Sequence, residues 1–308
     1  MSIHSVNLSL SNRCTANCIF CPVTRGQKIN MDMPIEIVSK ILNEVSSPTF
    51  PWKVNNFYVG ENGDALLNSE FLDILRLIRT KMPLATIILS SNFSQMKPEI
   101  SNRILNENLL DEISVNIDGH NSDSYTAQKK LNYENVIINL KYFVNLRSKF
   151  ENQVKLIVHV LTLKEYAKTV LSRLGKIPIK LKKCTEIPES SFALIEDGLR
   201  KWMPLDIIID HPGCFLWAER SYVPENLNQT HLICPRYDRI ISESWIAPNG
   251  DWYACCLDDN QDIIFGNVMR TSLYEIHESI ERFNFIYKIT NRMYKQIGKP
   301  CNTIVCCF

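Results

Sequence analysis

Nowhere in this sequence do 18 apolar residues run uninterrupted, so it lacks the long apolar segment that a membrane-spanning helix requires. It also lacks a basic stretch followed by an apolar one at its start. Met1 to Arg13 instead alternates polar and apolar positions, which is not the pattern of a secretion signal. Charge of one sign is missing too: Lys plus Arg number 34 and Asp plus Glu 33, leaving no net field to draw the chain to nucleic acid or to an anionic surface. No low-complexity tract is present, and 45% hydrophobic with 22% charged residues is the composition of a folded chain rather than a disordered one. These absences predict a cytoplasmic protein with neither a membrane nor a nucleic-acid partner. Its 308 residues suffice to bury a large core, as one big domain or one domain with a small appendage.

Cysteine, by contrast, is plentiful, with 11 residues. A reducing cytosol does not let structural disulfides persist, so metal or redox chemistry is the better account of them. Cys14, Cys18 and Cys21 lie together near the start, and Cys234, Cys255, Cys256, Cys301, Cys306 and Cys307 fall in the last 75 residues, with only Cys184 and Cys214 between. The spacing divides the chain into a front socket and a rear one.

Periodicity places these sockets in a fold. Val6, Leu8 and Leu10 alternate with Asn7 and Ser9, which predicts a strand running into the first cysteines. Pro34 then opens a helix with Val38, Ile41, Leu42 and Val45 on one face. The alternation continues with strand Asn56 to Val59 and helix Ser69 to Arg79, then strand Thr86 to Leu89 and a short helix after Pro98. Strand Glu112 to Ile117 precedes helix Tyr133 to Leu146, and strand Leu156 to Leu161 precedes helix Lys164 to Leu174. A sixth strand is expected at Ile177 to Lys182 or at Leu205 to Asp210. Such alternation predicts an α/β fold of parallel strands, whose ligand site lies in the loops after the strands' C-terminal ends. From about Pro212 the pattern changes and a second module begins. There Pro248-Asn249-Gly250 predicts a hairpin turn between Ser242 to Ala247 and Asp251 to Cys255. A helix over Leu273 to Phe283 follows, with Leu273, Ile276, Ile280 and Phe283 expected on its inner face.

Three thiolates spaced C-x3-C-x2-C can hold three irons of a [4Fe-4S] cubane and leave the fourth iron open to a small molecule. A zinc site or buried structural cysteines are the other readings, although zinc sites gather four ligands, often as two C-x2-C pairs. Four of the rear thiols, Cys234, Cys255, Cys301 and Cys306, suffice for a fully ligated [4Fe-4S] cluster or for zinc.

Cys14-Thr-Ala-Asn-Cys18-Ile-Phe20-Cys21 resembles the motif of the radical S-adenosylmethionine superfamily. The resemblance implies a partial (β/α)6 barrel over residues 1–211, a first [4Fe-4S] cluster on Cys14, Cys18 and Cys21, and S-adenosylmethionine as cofactor. It assigns Phe20 to the adenine. It also carries cofactor-binding roles to Gly63 and Asp64 after the second strand, where Asp64 and Ala65 stand in place of the family's Glu and Pro. Asn92 after the third strand is assigned likewise, with Phe93 in place of Gly, as are Asn116 and Asp118 after the fourth.

Trp252-Tyr-Ala-Cys255-Cys256-Leu-Asp258, Phe265-Gly-Asn-Val268 and Ser272-Leu-Tyr-Glu-Ile276 resemble the SPASM/twitch extension of that superfamily. This implies a small hairpin-and-helix iron–sulfur module over residues 212–308 that holds one auxiliary [4Fe-4S] cluster, with Cys306 or Cys307 as last ligand. Cys256 is then surplus. It is either a hydrogen-atom donor, as in related radical epimerases, or a small buried residue beside a cluster that accepts an electron. The expected activity is oxidation of a biosynthetic small molecule by way of a 5′-deoxyadenosyl radical, with a flavodoxin or ferredoxin as electron source. The alternatives are epimerisation through Cys256 and modification of a ribosomal peptide with a separate leader-binding partner. Only 13 residues precede Cys14, which speaks against a built-in leader-recognition domain.

Overall fold

The computed structural model describes residues 2–19, 21, 30–150, 154–162, 188, 190–211, 234 and 236–302. The chain separates into two compact units, Met1–Arg13 with Gly26–Thr86 and Glu219–Phe308, and Cys14–Arg25 with Ile87–Ala218. The domain boundary expected after residue 211 falls at the edge of the described residues.

In the first unit, β1 (Ser5–Leu8) lies between two parallel neighbours, β2 (Asn56–Val59) and β7 (Glu243–Ile246), with Ser5 opposite both Asn56 and Glu243. The alternation that marks β1 does not separate core from solvent, because all four of its residues are buried. The amide nitrogen of its Asn7 is satisfied internally, while Asn7 Oδ1 accepts no hydrogen bond among the described residues. Asn7 Nδ2 donates to Glu243 Oε2 at 3.0 Å and to the Ser244 carbonyl at 3.1 Å, as a buried amide must if it is not to destabilise the fold. The expected hairpin forms between β7 and β8 (Asp251–Tyr253), pairing Ile246 with Trp252, and Gly250 takes φ +87° in its turn. A third antiparallel strand, β9 (Ile264–Asn267), completes this edge. Helix α1 (Ile35–Val45) follows Pro34, which serves as its N-cap with φ −65°, and buries Val38, Ile41, Leu42 and Val45 as expected. Each such side chain contributes about 1.5–3 kcal/mol on full burial. Helix α2 (Phe71–Lys81) buries Phe71, Ile74, Leu75 and Ile78.

The second unit carries β3 (Thr86–Ser91) from Ile87 onward, β4 (Glu112–Asn116), β5 (Lys155–His159) and β6 (Ile208–Asp210), each parallel to the next. Of the two candidates for the sixth strand, Leu205 to Asp210 contains β6; Ile177 to Lys182 and the helix expected over Lys164 to Leu174 lie outside the described residues. Helices α3 (Pro98–Asn106) and α5 (Tyr133–Arg147) stand where the periodicity placed them. Two more were not foreseen. Helix α4 (Ser122–Lys129) starts from a reciprocal cap between Asn121 and Ser124, and α6 (Phe192–Arg200) from the Ser191 side chain. Helix α4 is polar and short, so its signal is its cap rather than an apolar stripe.

The helix expected over Leu273 to Phe283 is broken. Helix α7 (Tyr237–Ser242) precedes β7, and the predicted segment divides into α8 (Leu273–His277) and α9 (Ile280–Thr290), followed by α10 (Tyr294–Ile297). Ser272 and Ser279 each cap a new start. The second cap redirects the chain, so Leu273 and Ile276 are buried while Ile280 and Phe283 are about 60% exposed rather than inward.

Candidate functional site

The front cysteine loop is built on the end of α4. The Asn17 and Ile19 N–H groups donate to the carbonyls of Lys129 and Gln128 at 3.0 and 2.9 Å, two of the acceptors that a helix C-terminus leaves without intrahelical partners. Helix α4 is in turn fixed by the loop after β4. Lys129 Nζ lies 2.6 Å from Asp118 Oδ2, with side-chain exposures of 5% and 0%, and Asp118 Oδ1 accepts from Leu161 N at 2.9 Å. Burial works against the Lys129 ammonium, but Asp118 outweighs it, with help from Cys18, and holds the pKa above its usual value. Gly119 permits the fit, since a Cβ there would stand 2.4 Å from Tyr125 N.

Asp118 is therefore committed on both oxygens and closed to solvent, and it braces the helix on which the cysteine loop is built. Asn116 stands half-buried at the end of β4, opposite His159. Asn92 Nδ2 reaches Thr15 Oγ1 at 3.2 Å and Cys14 Sγ at 3.7 Å. Cys18 is buried, and Cys14 and Cys21 are partly open. Phe20 lies outside the described residues.

In the first unit, Gly63 lies against the backbone that leads to the cysteines. A Cβ there would fall 1.8 Å from the Ser11 carbonyl oxygen and 3.0 Å from that of Arg13. Asp64 is 1% exposed; its N–H donates to the Arg13 carbonyl at 2.8 Å, and its side chain accepts from Leu66 N at 3.3 Å. Arg13 itself is anchored by Asp32 and donates to the Leu67 carbonyl at 2.7 Å. Because backbone cannot yield, Gly63→Ala is expected to destabilise by about 3 kcal/mol, the upper end for overpacking. Gly198→Ala, with nothing within 4 Å of the added carbon, is expected to stabilise by about 0.5–1 kcal/mol by restricting the unfolded chain. Urea unfolding midpoints of the two variants check both signs.

The rear thiols Cys234, Cys255, Cys256 and Cys301 are all buried; Cys306 and Cys307 lie outside the described residues. Tyr294 ties two of them together. Its phenol pKa is raised by burial first, then by Cys234 and Cys301 beside it. Cys256 faces different company, since burial and the nearby Glu61 and Glu243 carboxylates push its thiol up to about 12 against the pull of Arg236 and Arg239. Its surroundings were not foreseen from the sequence. Arg239 Nε donates to Glu243 Oε1 at 2.8 Å, and its guanidinium stands 4.8 Å from the Trp245 ring centre. Tyr253 OH is 3.1 Å from Ser9 Oγ and accepts from Asn62 Nδ2 at 2.9 Å. Asn7 in β1 and Ser9 just after it were the available signal, since buried polar side chains call for hydrogen-bond partners.

The thiols of the front loop are a donor set that fits iron–sulfur chemistry. Among the described residues no three His, Cys, Asp or Glu side chains converge closely enough to hold one metal ion. Cys14, Cys18 and Cys21 on one loop offer three thiolates of the kind a cubane takes, each on a different iron.

Residues 238–307 match the SPASM family, an iron–sulfur cluster-binding domain. The chain has the fold of radical S-adenosylmethionine enzymes that carry this module. BtrN in complex with AdoMet and 2-DOIA is 12% identical, with a TM-score of 0.56 over 100% of this chain and 93% of that one. Streptococcus suis SuiB bound to S-adenosylmethionine is 13% identical, with a TM-score of 0.62 over 100% and 78%. Native anSMEcpe with bound AdoMet is 15% identical, with a TM-score of 0.57 over 92% and 82%. No curated protein matches the chain in sequence. No helix among the described residues is long and apolar enough to cross a membrane.

Proposed function

We propose that this radical S-adenosylmethionine fold carries an enzyme that oxidises a small molecule, with residues 1–211 as its catalytic core and 212–308 as its auxiliary-cluster module. The observation that carries the radical reading is the Cys14, Cys18 and Cys21 loop pinned by two backbone hydrogen bonds to the end of α4. When bound, the front [4Fe-4S] cluster supplies the electron that splits S-adenosylmethionine to a 5′-deoxyadenosyl radical, and the rear cluster supplies an acceptor for the electron the substrate gives up. Cys14, Cys18 and Cys21 hold the first cluster, and Cys234, Cys255, Cys301 and Cys306 the second. The cofactor is assigned to Phe20, Gly63, Asp64, Asn92, Asn116 and Asp118, each acting directly or by fixing the loop that carries it. The first electron comes from an outside donor of the flavodoxin or ferredoxin kind. In support of a small molecule, the chain spans 93% of BtrN, whose structure holds 2-DOIA, against 76% of SuiB bound to its precursor peptide SuiA and 83% of anSMEcpe bound to the Cp18Cys peptide.

One observation favours a second reading. Cys256, 5% exposed, is a thiol in excess of the four proposed auxiliary ligands, and as a hydrogen-atom donor it would invert a stereocentre. The two reactions differ in mass. With substrate, S-adenosylmethionine and dithionite, oxidation gives a product two mass units lighter in equal amount to 5′-deoxyadenosine, and Cys256→Ala retains it. Inversion gives an isomer that carries one solvent deuterium, and Cys256→Ala loses it. A peptide substrate alone yielding product would overturn the small-molecule reading.

A further inference from the structure

The loop after β3 is held in a conformation that its sequence does not favour. Phe93 takes φ +64°, a region that disfavours a bulky residue. Its surroundings enforce it. The Phe93 ring is fully buried and meets Phe143 edge-on at 5.7 Å, its N–H donates to Ser91 Oγ at 3.1 Å, and Asn139 Nδ2 clamps the Phe93 and Ser94 carbonyls at 2.9 and 3.2 Å.

What this arrangement positions is the Asn92 amide. Asn92 Oδ1 accepts from Ser94 N at 2.8 Å, which fixes which end of the amide is oxygen and which is nitrogen. Nδ2 must then face the cysteine loop, where its two hydrogens have two acceptors, Thr15 Oγ1 at 3.2 Å and Cys14 Sγ at 3.7 Å. Thr15 is held in place by Ser94 Oγ at 2.7 Å.

Resting on the reading that Cys14 binds the front cluster, we infer that Asn92 is a positioning residue that donates an N–H···S hydrogen bond to the Cys14 thiolate and raises the reduction potential of that cluster. Reduction adds one electron, drawn from an outside donor, to a cluster already ringed by thiolates. A hydrogen bond to sulfur offsets the added charge and so stabilises the reduced form more than the oxidised one. Without it, less of the cluster is reduced at a given donor potential.

The test uses the reconstituted full-length holoenzyme, poised with dithionite and mediators, following the reduced-cluster signal that S-adenosylmethionine alters. Asn92→Leu removes the donor at similar size and is expected to lower the reduced-to-oxidised ratio at fixed poise about tenfold, which corresponds to about 59 mV for one electron. Asn92→Asp keeps the acceptor for Ser94 N but turns a carboxylate towards sulfur, so its ratio falls further. The same signal in wild type, with asparagine side chains labelled by 15N, should show coupling to one nitrogen and to an exchangeable proton. Unchanged potentials at full iron content, or no such coupling in wild type, overturn the inference. A wild-type protein with no cluster on Cys14, Cys18 and Cys21 overturns instead the reading beneath it. The wild-type coupling decides the matter even where both variants lose iron.

Discussion

Replacing Cys14, Cys18 and Cys21 together by alanine is expected to reduce 5′-deoxyadenosine formation under dithionite to background while the protein remains folded. On the proposed assignment each thiol would hold a separate iron, so nothing else in the loop would replace them, and iron content should fall by about four per chain. The fold should survive because the loop is held by its backbone: the Asn17 and Ile19 N–H groups bond to α4 whatever the cysteine side chains are. Iron analysis, circular dichroism and chromatographic detection of 5′-deoxyadenosine check the three parts. Undiminished 5′-deoxyadenosine from the triple variant would sink the assignment of the front cluster.

The second large effect concerns α4 itself. Lys129→Met leaves the Asp118 carboxylate, fully closed to water, without its counter-charge, and breaking such a pair from one side costs about 3–5 kcal/mol. Adding Asp118→Asn should recover most of the loss, because the amide keeps an oxygen for Leu161 N and buries no charge. Urea denaturation of the single and double variants measures the coupling directly. Iron content should follow stability, since α4 carries the loop on its last carbonyls. Additive losses would mean that the pair does not act as a unit.

How far the sequence reaches can be judged from particular residues. Strand β2 is found at Asn56–Val59 as its apolar run predicts, and α1 buries the face expected of it, because both depend on periodicity within one short segment. Helix α4 escaped notice for the opposite reason. Its residues are polar, and it is stable through a cap and through Lys129, whose partner lies on another element. The break between α8 and α9 was hidden in the same way, since a serine in a helical pattern becomes a cap only when packing turns the chain there.

The front cysteines stood out as candidate ligands because C-x3-C-x2-C is a local spacing on one loop, and local spacing is what a sequence records. The contacts of Asp118 and Asn92 did not. Their motif positions marked them for the cofactor, whereas the burial of Asp118 against Lys129 and the orientation of the Asn92 amide towards Cys14 arise from contacts between different elements of the fold. The environment of Cys256, made of Glu61, Arg236, Arg239 and Glu243, belongs to the same class. By itself the sequence determined the α/β pattern, the hairpin turn and the cysteine triad, all consequences of short-range periodicity and spacing. The tertiary structure alone decided which polar groups are desolvated, how they are paired and where they point, because those properties depend on what packs around each group.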